Sequence, residues 1–183
     1  MEVTVERGGR VVAVVHGSMT IEGRTPPYRL RPFPLSAPPW PAVAAASGDA
    51  VTAVLAAWRD GVVRHEPAVM LLHGGARETR RSLVDRFARD SAAVGWTVAV
   101  AELGRDGAAP SVPPGRTGSF LVTVPEDEAW STDLRCRLLT DPVLRAPERL
   151  CVLLTAEDTT WWPALRGRLR KARLPEAATY RIR

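Results

Sequence analysis

Pro67-Ala68-Val69-Met70-Leu71-Leu72-His73-Gly74-Gly75-Ala76-Arg77-Glu78-Thr79-Arg80-Arg81-Ser82 is the stretch whose reading decides the fold. The apolar run at 68–72 has the length and β-branched or long aliphatic content of a strand buried on both faces. His73-Gly74-Gly75 reads as a turn, because glycine reaches backbone angles closed to other residues. Residues 79–94 then place Leu83, Val84, Phe87, Ala88, Ser91 and Val94 on one side of a helix. The same alternation repeats downstream. Strands are expected at 96–101, 119–124 and 149–154, and an edge strand at 178–182. Helices are expected from Ser131 or Thr132 to about 139, and over 159–172. Upstream, Val51, Val54, Leu55 and Trp58 recur at helical spacing after a cap at Ser47 or Asp49, and Gly61 stops them. Apolar strands alternating with helices predict a three-layer α/β domain around a mostly parallel five-stranded sheet, spanning residues 47–183.

Two N-terminal segments stand outside that pattern. Residues 1–24 hold Val3 and Val5, then Val11-Val12-Ala13-Val14-Val15, with Gly8-Gly9 between them, and so predict a β-hairpin. Residues 25–46 form a proline-rich arm: Pro26, Pro27, Pro32, Pro34, Pro38, Pro39 and Pro41 exclude a helix or an inner strand. Its apolar members Tyr28, Leu30, Phe33, Leu35 and Trp40 suit an arm laid on a surface, of this chain or of a partner. Residues 103–117 lack periodicity and read as a surface loop.

With 183 residues, 45% hydrophobic and 25% charged, the chain has globular composition. No apolar run approaches the roughly 18 residues that span a bilayer, so no membrane partner is expected. The first residues, Met1-Glu2-Val3-Thr4-Val5-Glu6, show no basic leader before an apolar stretch, and the expected location is the cytoplasm. The net charge of +5 comes almost wholly from arginine, since Lys171 is the single lysine. Such arginine bias reflects high-GC coding, as in actinobacteria, so nucleic-acid binding stays a secondary alternative. Cys136 and Cys151 have no metal spacing and read as reduced, packed residues; with His16, His65 and His73 scattered, no metal site is expected.

Ligands of open α/β sheets sit beyond the carboxyl ends of the strands. The turn at Gly74 has the context of a phosphate-binding loop, whose pattern G-x-x-x-x-G-K-[ST] uses glycine for close backbone approach, lysine for the terminal phosphates and a hydroxyl for magnesium. Counting from Gly74, those positions hold Thr79, Arg80 and Arg81, and Ser82 falls one residue late. Gly74, Gly75, Thr79, Arg80 and Arg81 are thus the candidate, degenerate phosphate loop.

Leu71 to Val98, with Gly95-Trp96-Thr97-Val98 after the helix, resembles the nucleotide-binding core of actinobacterial STAND-type NTPases, relatives of the AAA+ ATPases. Residues 54–60, Phe120 to Trp130, Leu138-Leu139-Thr140-Asp141-Pro142-Val143-Leu144 and Leu150 to Leu169 extend the resemblance over about two-thirds of the chain. It implies a P-loop fold with sheet order 5-1-4-3-2. It also implies an acid for magnesium at the end of the third strand and an arginine sensing phosphate after the fourth. Here Pro125 follows Val124 and the acids Glu126, Asp127 and Glu128 come late, while Thr155-Ala156-Glu157-Asp158 places acid after the fourth strand. Lysine, magnesium acid and sensor are all replaced, so the expected function is that of a pseudo-ATPase: a non-catalytic module for protein interaction, scaffolding or regulation, with no catalytic residue and no resident cofactor. The alternative is a weak ATP-binding switch with magnesium held by Glu126 or Asp127. A protein partner or homo-oligomer would meet a surface containing Trp40, Trp161 or Trp162, and the arginine-rich helix bearing Arg166 and Arg170.

Overall fold

The structure, a computed structural model, describes residues 5–6, 11–15, 18–22, 28–39, 45–103, 118–126, 130–145, 147–172, 174 and 177–182. The N-terminal segment forms strands β1 (Val5–Glu6), β2 (Val11–Val15) and β3 (Ser18–Glu22) in one antiparallel sheet, a strand more than the hairpin expected from valine content. β4 (Tyr28–Pro32) belongs instead to the main sheet, followed by helix α1 (Ala45–Asp60), β5 (Ala68–Gly74), α2 (Arg77–Ala93) and β6 (Thr97–Leu103). β7 (Ser119–Val124), α3 (Thr132–Thr140), a 3-10 turn (Pro142–Arg145), β8 (Arg149–Ala156), α4 (Trp162–Lys171) and β9 (Ala178–Ile182) complete the order. Helix α1 begins at Ala45, ahead of both expected caps, so Ser47 and Asp49 lie within its first turns. Among the described residues no helix is long and apolar enough to cross a membrane.

The main sheet has six strands in the order β4-β6-β7-β8-β5-β9. β9, β5, β8, β7 and β6 are mutually parallel, and β4 is added antiparallel to β6 at the edge. The sheet therefore has six strands where five are expected: the parallel strands β9-β5-β8-β7-β6 lie in the order 5-1-4-3-2 of their own sequence, and the added strand comes from the proline-rich arm. Its cause is a period-two pattern lying between the prolines. Tyr28 and Leu30 are buried, while Arg29 and Arg31 point outward and both pair with Glu102 at 3.0 Å. Proline is tolerated here because an edge strand need not donate on both sides. The arm then stays on its own chain: Phe33 N–H donates to the Val98 carbonyl, and Arg89 donates to the carbonyls of Leu35 and Ala37. Trp40 lies outside the described residues.

Alternation along the central strands sends side chains to two cores. Met70, Leu72, Leu121, Cys151 and Leu153 meet Val51, Leu55, Leu83 and Phe87 of α1 and α2. Val69, Leu71, Val122, Val152 and Leu154 meet Leu138, Leu139, Trp162, Leu165 and Leu169 of α3 and α4. Helices on both sheet faces follow from strands apolar on both faces. Burial pushes the Cys151 thiol up to about 12, so that cysteine acts as a packed apolar group.

Candidate functional site

The turn between β5 and α2 is built by glycine for a packing reason. Gly74 and Gly75 have φ of +77° and +62°, in the left-handed region. A Cβ on Gly74 would stand 2.7 Å from the Ile182 carbonyl oxygen, and one on Gly75 would stand 3.0 Å from Ile182 Cγ2. The end of β9 thus lies directly against the loop. Close backbone approach is real here, and the approaching group is the chain's own last strand.

Arg80, in the first turn of α2, has a side chain only 1% exposed. Its Nη1 donates to the Gly74 and Gly75 carbonyls at 2.9 and 2.6 Å, and its Nε and Nη2 donate to Glu126 Oε2 at 2.9 and 2.6 Å. Glu157 Oε2 lies 3.7 Å from Nη2, with its side chain 81% exposed. Arg80, a member of the candidate degenerate phosphate loop, is the buried centre of a network within the chain. The planar guanidinium reaches two carbonyls and a carboxylate together, which an ammonium on a lysine stem would not match. Glu126 is carried there by β7, one residue past Pro125, and Thr155 Oγ1 donates to the Val124 carbonyl at 3.1 Å to lace the ends of β7 and β8.

The Arg80 cation is neutralised from within the chain. A phosphate loop works by aiming N–H dipoles at the anion. Here two peptide carbonyls present their negative ends to the guanidinium, and the counter-anion is the Glu126 carboxylate. His73, at the end of β5, is held below its ordinary pKa by burial, with Arg181 and Arg80 adding repulsion to its cationic form. Thr79 is half-buried, and Arg81 is exposed and engaged in an interaction of its own. Among the described residues no three His, Cys, Asp or Glu side chains are grouped to hold a metal; Asp127 and Glu128 lie outside the described residues.

The tryptophan doublet divides. Trp162 is 6% exposed, its Nε1 donates to Thr179 Oγ1 at 3.0 Å, and it belongs to the core. Trp161 is half-buried, packs edge-on to Trp162 at 5.8 Å between centroids, and carries the Arg135 guanidinium 3.9 Å above its ring. Arg166 is half-buried and Arg170 exposed on α4, each with an interaction within the chain. The pairing of Arg80 with Glu126, 46 residues apart, escaped sequence reasoning, as did Arg135. The available signal was positional: both Arg80 and Glu126 follow the carboxyl ends of parallel strands, where the topology converges. Compared with protein-family models, curated proteins and solved structures, the chain matches none.

Proposed function

We propose that this chain is a non-catalytic, P-loop-related domain of the pseudo-NTPase kind, acting as a protein-interaction, scaffold or regulatory module. One observation carries the reading. The cation at the lysine position is buried and satisfied by Gly74, Gly75 and Glu126, so the place a phosphate would take is occupied from within. To bind there, a triphosphate would have to displace an intramolecular carboxylate and face Glu157 as well. Each of these opposes a dense anion, and no hydroxyl at position 81 offers magnesium a ligand.

The test is thermal unfolding with millimolar ATP, ADP or GTP and magnesium. A site present at about 100-fold excess over Kd stabilises by about 2.7 kcal/mol. That corresponds to about 5–11 °C for a chain of this size. The expected shift is none. A nucleotide-specific rise of several degrees, lost in Glu126→Lys but kept in Asp133→Asn, would replace this reading with the ATP-binding switch.

A further inference from the structure

Glu126 also borders a cavity of about 760 Å³ at the carboxyl ends of β7 and β8. Among the described residues, Trp130 and Trp161 supply aromatic wall, Glu126, Glu157 and Asp158 supply carboxylates, and Arg135 supplies a guanidinium, with Arg80 behind Glu126. Arg135 is 7% exposed and stacked on Trp161, so its charge is spread over a ring instead of being offered to solvent. Asp158 is fully outside, and bonds from Thr160 N–H and Oγ1 (2.9 and 2.6 Å) both fix its carboxylate and hold it below the ordinary range. Among the described residues Glu157 has a loose contact at 3.7 Å to Arg80, and its side chain is 81% exposed. Both bonds from Arg80 to Glu126 end on Oε2, so Oε1 takes no bond from that arginine.

We infer that this cleft receives an arginine-bearing segment of a protein partner, its guanidinium meeting Glu157 and Asp158 and its alkyl stem lying on the tryptophan wall. Charge complementarity selects that occupant. The chain as a whole carries +5, yet among the described residues three of the four charged side chains lining the cleft are acidic; Glu126 is paired with Arg80, which leaves Glu157 and Asp158 as the exposed carboxylates. The net positive charge of the chain would repel a basic peptide, so its capture requires the exposed carboxylates of Glu157 and Asp158. Arginine suits the cleft because a long apolar stem and a flat cation can use ring and carboxylate together. The inference rests on reading the chain as a protein-interaction module and names the chemistry of its partner.

The probe is a fluorescein-labelled peptide of alternating glycine and arginine, with glutamate replacing arginine in the control, followed by anisotropy on the full chain. The arginine peptide binds, the glutamate peptide does not, and affinity falls as salt rises. Glu157→Gln with Asp158→Asn weakens binding about tenfold. Glu157→Gln alone, at a solvated position where folding is insensitive, weakens it about threefold. Equal binding of both peptides, or unchanged affinity in both variants, overturns the inference. Concentration-dependent mass of the protein alone, abolished by Glu157→Gln, would give the cleft to a second copy and overturn it too. A nucleotide-induced thermal shift with intact peptide binding would instead defeat only the pseudo-NTPase reading.

Discussion

Arg80→Ala separates a structural latch from an anion receptor. A cation kept for phosphate stands ready for its ligand, and its removal from the positive end of a helix would cost little or even stabilise. A latch behaves oppositely. Truncation leaves the Gly74 and Gly75 carbonyls without their donor, leaves Glu126 without its cation, and opens a void around a side chain 1% exposed. Removing one partner of a buried pair costs about 3–5 kcal/mol. Glu126 is 24% exposed and can rehydrate, which places the loss near the lower end, about 3 kcal/mol. The expected fall in Tm is about 6–12 °C. Urea unfolding should show a lower midpoint at unchanged slope, since the surface exposed on unfolding is the same. Arg80→Lys should lose roughly half as much, because one ammonium cannot span the carbonyls and the carboxylate. A double-mutant cycle with Glu126→Ala should return a coupling of about 1–2 kcal/mol. If Arg80→Ala unfolds within about 0.5 kcal/mol of the parent, or the cycle shows no coupling, the latch is refuted.

Glycine substitutions make a matched pair. Gly74→Ala adds a Cβ 2.7 Å from the Ile182 carbonyl at φ of +77° and should cost about 3 kcal/mol or more. Gly95→Ala, at φ of +88° with nothing within 4 Å, should cost only the backbone strain of about 1–2 kcal/mol; equal losses in urea denaturation would contradict the packing of β9 on the loop. His73 binds its proton less readily folded than unfolded, so its contribution to stability is full above its ordinary value of 6.5 and falls away as pH drops through the lowered folded value. Unfolding between pH 7.5 and 5 should therefore be less steeply pH-dependent in His73→Gln, and an identical slope would show that this histidine does not carry the effect.

Much of the architecture was legible from local pattern. The runs at 68–72, 120–122 and 150–154 are apolar at every position because both sheet faces are covered, and Phe87 and Leu165 recur at helical spacing because one stripe of each helix meets the sheet. The strand at 28–32 was hidden, since the prolines around it masked the Tyr28/Leu30 alternation that seats it against β6. At the candidate site, the sequence places Gly74, Gly75 and Arg80 in one strand–turn–helix segment, but the pairing of Arg80 with Glu126 is not legible in it.

By itself, then, the order of residues determined the α/β alternation, the strand–glycine–helix turn and the presence of arginine at both positions 80 and 81 that follow it. These depend on periodicity within a few residues, where burial imposes a repeat of two or of 3.6. Tertiary structure alone decided what faces Arg80, what fills the space beside Gly74, and which carboxylates gather at Trp161. Glu126, Ile182 and Glu157 reach the site from distant strands, and no local repeat records which strand ends a parallel sheet will set side by side.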